Sequence, residues 1–272
     1  MHPVAISSRM SRVVLKLGGG LITDKSRYRQ VRTDRIDAVS GVVRELRDSG
    51  MSVVLVHGAG SFGHLEARKW GLAEGIDDES YQSQVRAISR VRTDMDDLNA
   101  AVIESLSRAG VDCEPMPPRD WAIGVGTEFE GDLGGFVRDP EEPVPVTFGD
   151  VVDTSDSSKF GILSGDHIMV RLGCEMPDVT ACAFLLGDVD GLMDKPPKEL
   201  GSTLLRTWSS EQKFSGSHDL DHDVTGGILL KAHCASEISR RVEQVWLLNG
   251  AVPSRVLDVV SHGDTVGTRI LH

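Results

Sequence analysis

The chain has 272 residues, 40% of them hydrophobic, with 29 Lys+Arg against 41 Asp+Glu and a formal net charge of -12. That length fits one large α/β domain or two smaller ones, and the acidic balance argues against nucleic acid or an anionic membrane surface as the main partner, since both need a basic footprint. Cys113, Cys174, Cys182 and Cys234 show no CxxC or Cys/His ligand spacing, so reduced thiols are expected rather than disulfides or zinc.

No run approaches the roughly 20 apolar residues that span a bilayer. Met1 to Ser11 lacks the apolar centre of a signal peptide, so the expectation is a soluble, cytoplasmic protein with a mobile tail over 1–11 and one domain over 12–272. Val13 to Leu17 reads as a first strand, and Ile36, Val39, Val42, Val43 and Leu46 lie at helical spacing within Thr33 to Ser49. Ser52 to Val56 is a second strand. Ser80 to Ala109 reads as a long helix or a pair, with Val85, Ile88, Val91, Met95, Leu98, Val102 and Leu106 on one face, either plain core or the wall of a pocket.

Glu128 to Pro145 is rich in turn formers and reads as a hairpin or exposed loop. Val144 to Phe148 and Phe160 to Leu163 restore strand character, followed by a helix over Asp166 to Gly173 and a strand over Val179 to Leu186. The long polar run Lys195 to Asp223 is expected to form a partly ordered flap. A helix from Thr225 to Arg241, a strand over Val245 to Leu248 and a last edge strand over Val266 to Leu271 complete the chain. Strands alternating with helices predict a mainly parallel sheet covered on both faces, with two lobes in one domain.

Two glycine-rich turns follow apolar runs: VVLKLGGG at Val13 to Gly20 and VVLVHGAGSFGH at Val53 to His64. Glycine after a strand lets backbone N–H groups approach an anion with no Cβ in the way. Lys16 lies inside the first strand, where an ammonium is expensive to bury without an anionic partner, and alternation points it away from the face of Leu15 and Leu17. Two phosphate cradles with lysines beside them suit phosphoryl transfer. GxxxxGK[ST] is absent, so this is no Walker A loop; Gly58, Gly60 and Gly63 match GxGxxG by letter, but His64 stands where a dinucleotide fold wants a packed helix start.

Seven segments in order along the chain resemble the amino acid kinase superfamily and, within it, the isopentenyl phosphate kinases. They are LKLGGGLITDKS at Leu15 to Ser26, VHGAGSFGH at Val56 to His64, FGDVV at Phe148 to Val152, ILSGDHI at Ile162 to Ile168, GDVDGLM at Gly187 to Met193, DVTGGILLK at Asp223 to Lys231, and VGTRI at Val266 to Ile270. The resemblance implies a three-layer αβα sandwich of the amino acid kinase fold, an acceptor lobe over about 12–175 and a nucleotide lobe over about 176–272. It implies that ATP, as its Mg²⁺ complex, phosphorylates isopentenyl phosphate or a similar prenyl phosphate, and that the protein is a homodimer.

By position in those segments, the resemblance implies that Lys16, Leu17, Gly18, Gly19 and Gly20 wrap the transferring phosphates, with Lys16 bridging donor and acceptor. Lys25 would stabilise transition-state charge. Ala59 and Gly165 would contact the acceptor, His64 would hydrogen-bond its phosphate, and Gly60 would serve the nucleotide phosphates. Asp166 would orient the lysines, while Asp188, Gly227 and Lys231 would hold ATP. No carboxylate cluster offers itself as a metal site, so Mg²⁺ would ride on the nucleotide. One departure stands out: Gly20 replaces the serine that usually ends the family's first turn.

Taken singly, His64 is an ordinary loop residue, Lys25 an exposed partner of Asp24, and Asp188 and Asp190 turn formers; His218, His222, Trp70 and Trp208 receive no role. A related kinase of another small phosphate or phosphonate, and a non-catalytic nucleotide-binding member of the fold, remain alternatives.

Overall fold

The computed structural model describes residues 11–187, 189–212 and 227–272. Asp188, nearly all of the N-terminal tail, the end of the expected flap and the residues just before Gly227 lie outside the described residues. In chain order the elements are β1 (Arg12–Leu17), α1 (Gly19–Ile22), α2 (Thr33–Asp48), β2 (Ser52–His57), α3 (His64–Lys69), α4 (Tyr81–Arg108), β3 (Cys113–Pro115), β4 (Ala122–Ile123) and β5 (Glu130–Gly131). They continue with β6 (Val144–Phe148), β7 (Asp150–Asp153), β8 (Phe160–Leu163), α5 (Gly165–Glu175), β9 (Val179–Leu186), β10 (Thr207–Trp208), α6 (Gly227–Ile238), β11 (Gln244–Asn249), α7 (Arg255–His262) and β12 (Thr268–Ile270).

Eight strands form one sheet in the order β10-β12-β11-β9-β1-β2-β6-β3, parallel throughout except where β12 meets β11. β1 and β2 are buried at every position, as a strand covered on both faces must be. Their side chains alternate between two cores. Val13, Leu15 and Leu17 pack with residues of α2, α4 and α7, while Val14, Val54 and Val56 pack with α5 and α6. The molecule is therefore a three-layer αβα sandwich, as expected.

β1 and β2 pair in register, Leu15 opposite Leu55 and Lys16 opposite Val56, so the two glycine turns leave the sheet side by side. That places them at the carboxyl ends of adjacent parallel strands, where ligands bind in open α/β sheets. α2 ends at Asp48 because Gly50 adopts φ +82° just beyond it. α4 is a single helix, with Val91, Met95, Leu98, Val102 and Leu106 buried and Val85 exposed.

Three sequence expectations change here. The last strand is not at the edge: β12 lies between β10 and β11, because Trp208, buried to 3% exposure, anchors β10 outside it. That outer strand falls inside the stretch expected to be a flap, whose described part is also tied down by a bridge from Leu204 to Met193. Phe160 to Leu163 does form a strand, but β8 pairs antiparallel with β7 in a separate two-stranded sheet.

Candidate active site

The two glycine turns touch backbone to backbone. A Cβ on Gly19 would stand 2.3 Å from the amide nitrogen of Gly60, and one on Gly58 would stand 2.9 Å from that of Gly19. Gly60 has φ +53°, a left-handed conformation that glycine adopts without cost, and a Cβ there would fall 2.0 Å from Thr23 Oγ1. Thr23, fully buried, clips the turns together: its hydroxyl donates to the Gly19 carbonyl (2.7 Å) and accepts from the Ser61 amide (2.9 Å). Nothing in the sequence marked Thr23, whose partner lies 38 residues away.

Lys16 sits on the α5/α6 side of the sheet, as alternation predicts, and forms a buried ion pair with Asp166 in the first turn of α5. Lys231 of α6 approaches the other carboxylate oxygen at 3.4 Å and donates to the Gly227 carbonyl at 3.3 Å. Burial drives the Lys16 ammonium down to about 8, Asp166 opposing that fall. Burial alone would raise the Asp166 carboxyl, but Lys16 and Lys231 outweigh it and hold it below the ordinary carboxylate value. One carboxylate thus orients two ammonium groups. Ser164 caps α5, its hydroxyl accepting from the Asp166 amide at 3.2 Å, so the positive end of the helix dipole opens on the same space.

That space is a cavity of about 890 Å³. Lys16, Gly18, Gly19, Gly20, Lys25, Ala59, Gly60, His64, Gly165, Asp166, Gly227 and Lys231 all line it. The structure thus gathers every described residue to which the resemblance gave a role at the site except Leu17, whose side chain is part of the apolar core and whose carbonyl accepts from the Gly58 amide at 3.0 Å. Lys25 runs across Gly20: a Cβ there would stand 2.9 Å from Lys25 Cε. Asp24, the partner expected of Lys25 in the surface reading, is engaged elsewhere, accepting from the amide (2.9 Å) and hydroxyl (2.7 Å) of Ser26.

His64 is half-buried and opens α3 directly after Gly63. A helix therefore does start there, contrary to the sequence expectation, although α3 is only six residues long. Val91, Met95 and Ile162 add apolar surface to the lining, Val91 and Met95 beside Gly63. Of the α4 face that the sequence offers as core or pocket wall, Val91 and Met95 line the cavity and Ile88 packs against the core.

Three further groups escaped the sequence. Arg32 lines the cavity and donates to the Gly20 carbonyl at 3.3 Å. Asp150, 1% exposed, also lines it; burial raises its carboxyl to about 6, although the Val151 amide (2.8 Å) and Arg119 (3.1 Å) favour the charged form. His57 ends β2 beneath the second turn, stacked on Phe148 with ring centroids 5.0 Å apart. Its ring nitrogens lie 3.2 Å from the Gly58 carbonyl and 3.2 Å from Asn99 Oδ1, and burial brings its pKa down to about 4. Asp190 is a structural anchor, bonded to Asn249 (3.0 Å) and Arg255 (2.6 Å).

Fold and site together define a phosphotransferase whose cavity is lined by lysines, two glycine turns and the N-terminus of α5. The chain belongs to the amino acid kinase family, whose pattern matches residues 11–249, and ATP is the co-substrate that this membership implies. Within the family it belongs with the isopentenyl phosphate kinases. It is 35% identical over 251 residues to the isopentenyl phosphate kinase of Thermoplasma acidophilum, covering 91% of this chain and 95% of that one. With the enzyme of the same name from Methanothermobacter thermautotrophicus it shares 30% identity over 95% of this chain and 98% of the other. The crystal structure of an isopentenyl phosphate kinase substrate complex superposes with a TM-score of 0.77 at 30% identity, covering 96% of this chain and all of that one.

Proposed function

We propose that the protein transfers the γ-phosphoryl group of ATP to the phosphate of isopentenyl phosphate, giving isopentenyl diphosphate and ADP. The observation that carries this reading is the buried Lys16, paired with Asp166 at the junction of two glycine turns and lining a cavity that also has apolar walls. An acceptor phosphate is already anionic near neutral pH, so no strong base is needed. Its attack requires positive charge between two repelling phosphates, and oriented lysines supply it.

In this reading Lys16 bridges donor and acceptor, Lys25 stabilises charge during transfer, and Asp166 orients Lys16 and Lys231. Gly18 to Gly20, Gly60, Gly227 and Lys231 hold the nucleotide, with Asp188 and the backbone of Leu17 assigned there by position. Ala59, His64 and Gly165 receive the acceptor phosphate, and Val91 and Met95 flank its tail. Residues of about 12–175 form the acceptor lobe and those of about 176–272 the nucleotide lobe.

ATP would be taken up as its Mg²⁺ complex, the metal supplying neutralisation of phosphate charge. Among the described residues no group of three His, Cys, Asp or Glu could hold a metal, and Asp166 is committed to two ammoniums, which fits a metal carried by the nucleotide. A cytoplasmic homodimer completes the proposal; among the described residues no helix is long and apolar enough to cross a membrane.

The test is a ³¹P assay offering isopentenyl, dimethylallyl and geranyl phosphates and fosfomycin with MgATP. Turnover of a prenyl phosphate is expected, and its absence with every prenyl phosphate would sink the proposal; turnover of fosfomycin alone would favour the phosphonate reading. Lys16→Ala and His64→Ala are expected to fold yet lose about 100-fold or more in kcat/KM, and wild-type rates in both would refute the site assignment.

A further inference from the structure

Lys25 stands on a loop that is fastened at its far end to a helix. Thr23 and Val31 bridge antiparallel across its base, the Asp24 amide donates to the Gln30 carbonyl at 2.8 Å, and the Arg32 amide donates to the Ile22 carbonyl at 2.8 Å. The tip, Tyr28 and Arg29, reaches Asp94 in the middle of α4. The Tyr28 hydroxyl donates to Asp94 Oδ2 at 3.1 Å, and Arg29 Nη1 lies 3.3 Å from Asp94 Oδ1. Arg29 also pairs with Asp97, lies over the Phe62 ring with its guanidinium carbon 5.5 Å from the centroid, and donates its amide to the Ser61 carbonyl at 3.4 Å. Its backbone has φ +53°, which an L-residue holds only where its surroundings over-determine it.

Asp94 is a carboxylate 2% exposed on the buried face of α4, an expensive placement unless both oxygens are used. The same face carries Val91 and Met95, which line the cavity and pack against the place where a Cβ on Gly63 would stand, at 3.5 and 3.6 Å. One helix therefore holds the cavity wall and, one position away, the anchor of the lysine loop.

We infer that Asp94 is a positioning residue for phosphoryl transfer: through Tyr28 and Arg29 it holds the Lys25 loop so that the ammonium stays in the cavity, and through α4 it couples that placement to the wall formed by Val91 and Met95. The inference rests on the reading of Lys25 as a cation of the transfer step. A loop released at its tip keeps its charge but loses its aim, and misplacement on the scale of 1 Å costs up to about 100-fold in rate.

Steady-state kinetics of the full chain test it, with Lys25→Ala, Asp94→Asn, their double variant and Tyr28→Phe compared with wild type. Asp94→Asn is expected to lower kcat about 10-fold to 30-fold while KM for ATP stays within about threefold. In the Lys25→Ala background the same change is expected to add less than about threefold, because the group it positions is gone. Tyr28→Phe, which removes only a hydroxyl from a side chain 54% exposed, is expected to cost about threefold to tenfold in kcat, again only when Lys25 is present.

Wild-type kcat in Asp94→Asn, or full multiplication of the two losses in the double variant, overturns the inference while an impaired Lys25→Ala leaves the function standing. Wild-type turnover in Lys25→Ala sinks the reading of Lys25 and the inference with it. Should Asp94→Asn fail to fold, Tyr28→Phe decides alone, and an unchanged kcat there counts against the inference.

Discussion

Lys16 and Asp166 form an ion pair removed from water, 4% and 1% exposed, at the point where β1 delivers its glycine turn to the first turn of α5. Breaking such a pair by removing one partner costs about 3–5 kcal/mol, since the survivor is left charged and buried. Taking both charges out of water is itself costly, so the intact pair is a poor device for stability alone, and in the proposed function it is a poised cation. In that reading an incoming phosphate adds a second anion beside the buried ammonium.

That poise has a pH signature. With its ammonium at about 8 in the ligand-free protein, Lys16 loses its proton as pH rises through 8. Because kcat/KM reports the free enzyme, kcat/KM for ATP is expected to fall on the alkaline side with an apparent pKa near 8. Bound phosphates favour the charged form, so the limb in kcat is expected at higher pH. Lys16→Arg keeps its charge and should lose the limb even if slower. Coincident limbs in kcat and kcat/KM, or a limb surviving in Lys16→Arg, would assign the titration elsewhere.

Gly20 stands where the resemblance in the sequence implies a serine, and the space beside it is filled by the stem of Lys25. Gly20→Ser would place a Cβ 2.9 Å from Lys25 Cε, a clash that a flexible side chain relieves by moving. The expected outcome is an unchanged melting temperature with kcat lowered about threefold to tenfold. A gain in kcat would mean that the hydroxyl outweighs the displacement of Lys25.

The parts of the site that follow one strand or one turn were legible in the sequence. Period-two alternation along β1 predicts which face Lys16 takes, and the glycines announce where backbone must come close. Groups whose meaning depends on distant segments were not. Thr23 in LITDK carries no local sign that its hydroxyl will join two turns, and Asp94 reads as one more polar residue of a long helix until Tyr28 and Arg29 are seen to reach it. His64 misled for the opposite reason: the letters after Gly63 do not show that a helix begins there. Thr207 and Trp208 in a polar stretch are all that mark β10, and two residues are a weak strand signal.

Two glycines should respond in opposite ways to alanine. Gly60→Ala puts a Cβ 2.0 Å from Thr23 Oγ1 and 2.6 Å from the Gly19 carbonyl, in a left-handed conformation, and is expected to destabilise by about 2–4 kcal/mol and to abolish most activity. Gly41 lies inside α2, and a Cβ there would meet nothing within 4 Å, so Gly41→Ala should stabilise by about 0.5–1 kcal/mol with turnover unchanged. Urea unfolding of both variants checks the pair. Equal effects would mean that close approach of the two turns is not what fixes glycine at position 60.

His57 links the same turns to acid stability. Burial brings its pKa to about 4, below the value near 6.5 of an unfolded histidine, with the Gly58 and Asn99 bonds opposing and Lys16 adding to the fall. Between pH 6.5 and 4 the unfolded chain therefore binds a proton that the folded chain refuses. The sign follows: stability is full above 6.5 and is lost as pH falls toward 4, by about 2–3 kcal/mol at pH 4.5 from this group. His57→Gln keeps a hydrogen-bonding partner for Asn99 but cannot take up that proton. Its unfolding free energy should lie below that of wild type at pH 7.5 and close most of the gap by pH 4.5; a gap constant across that range would show that His57 is not the group that titrates.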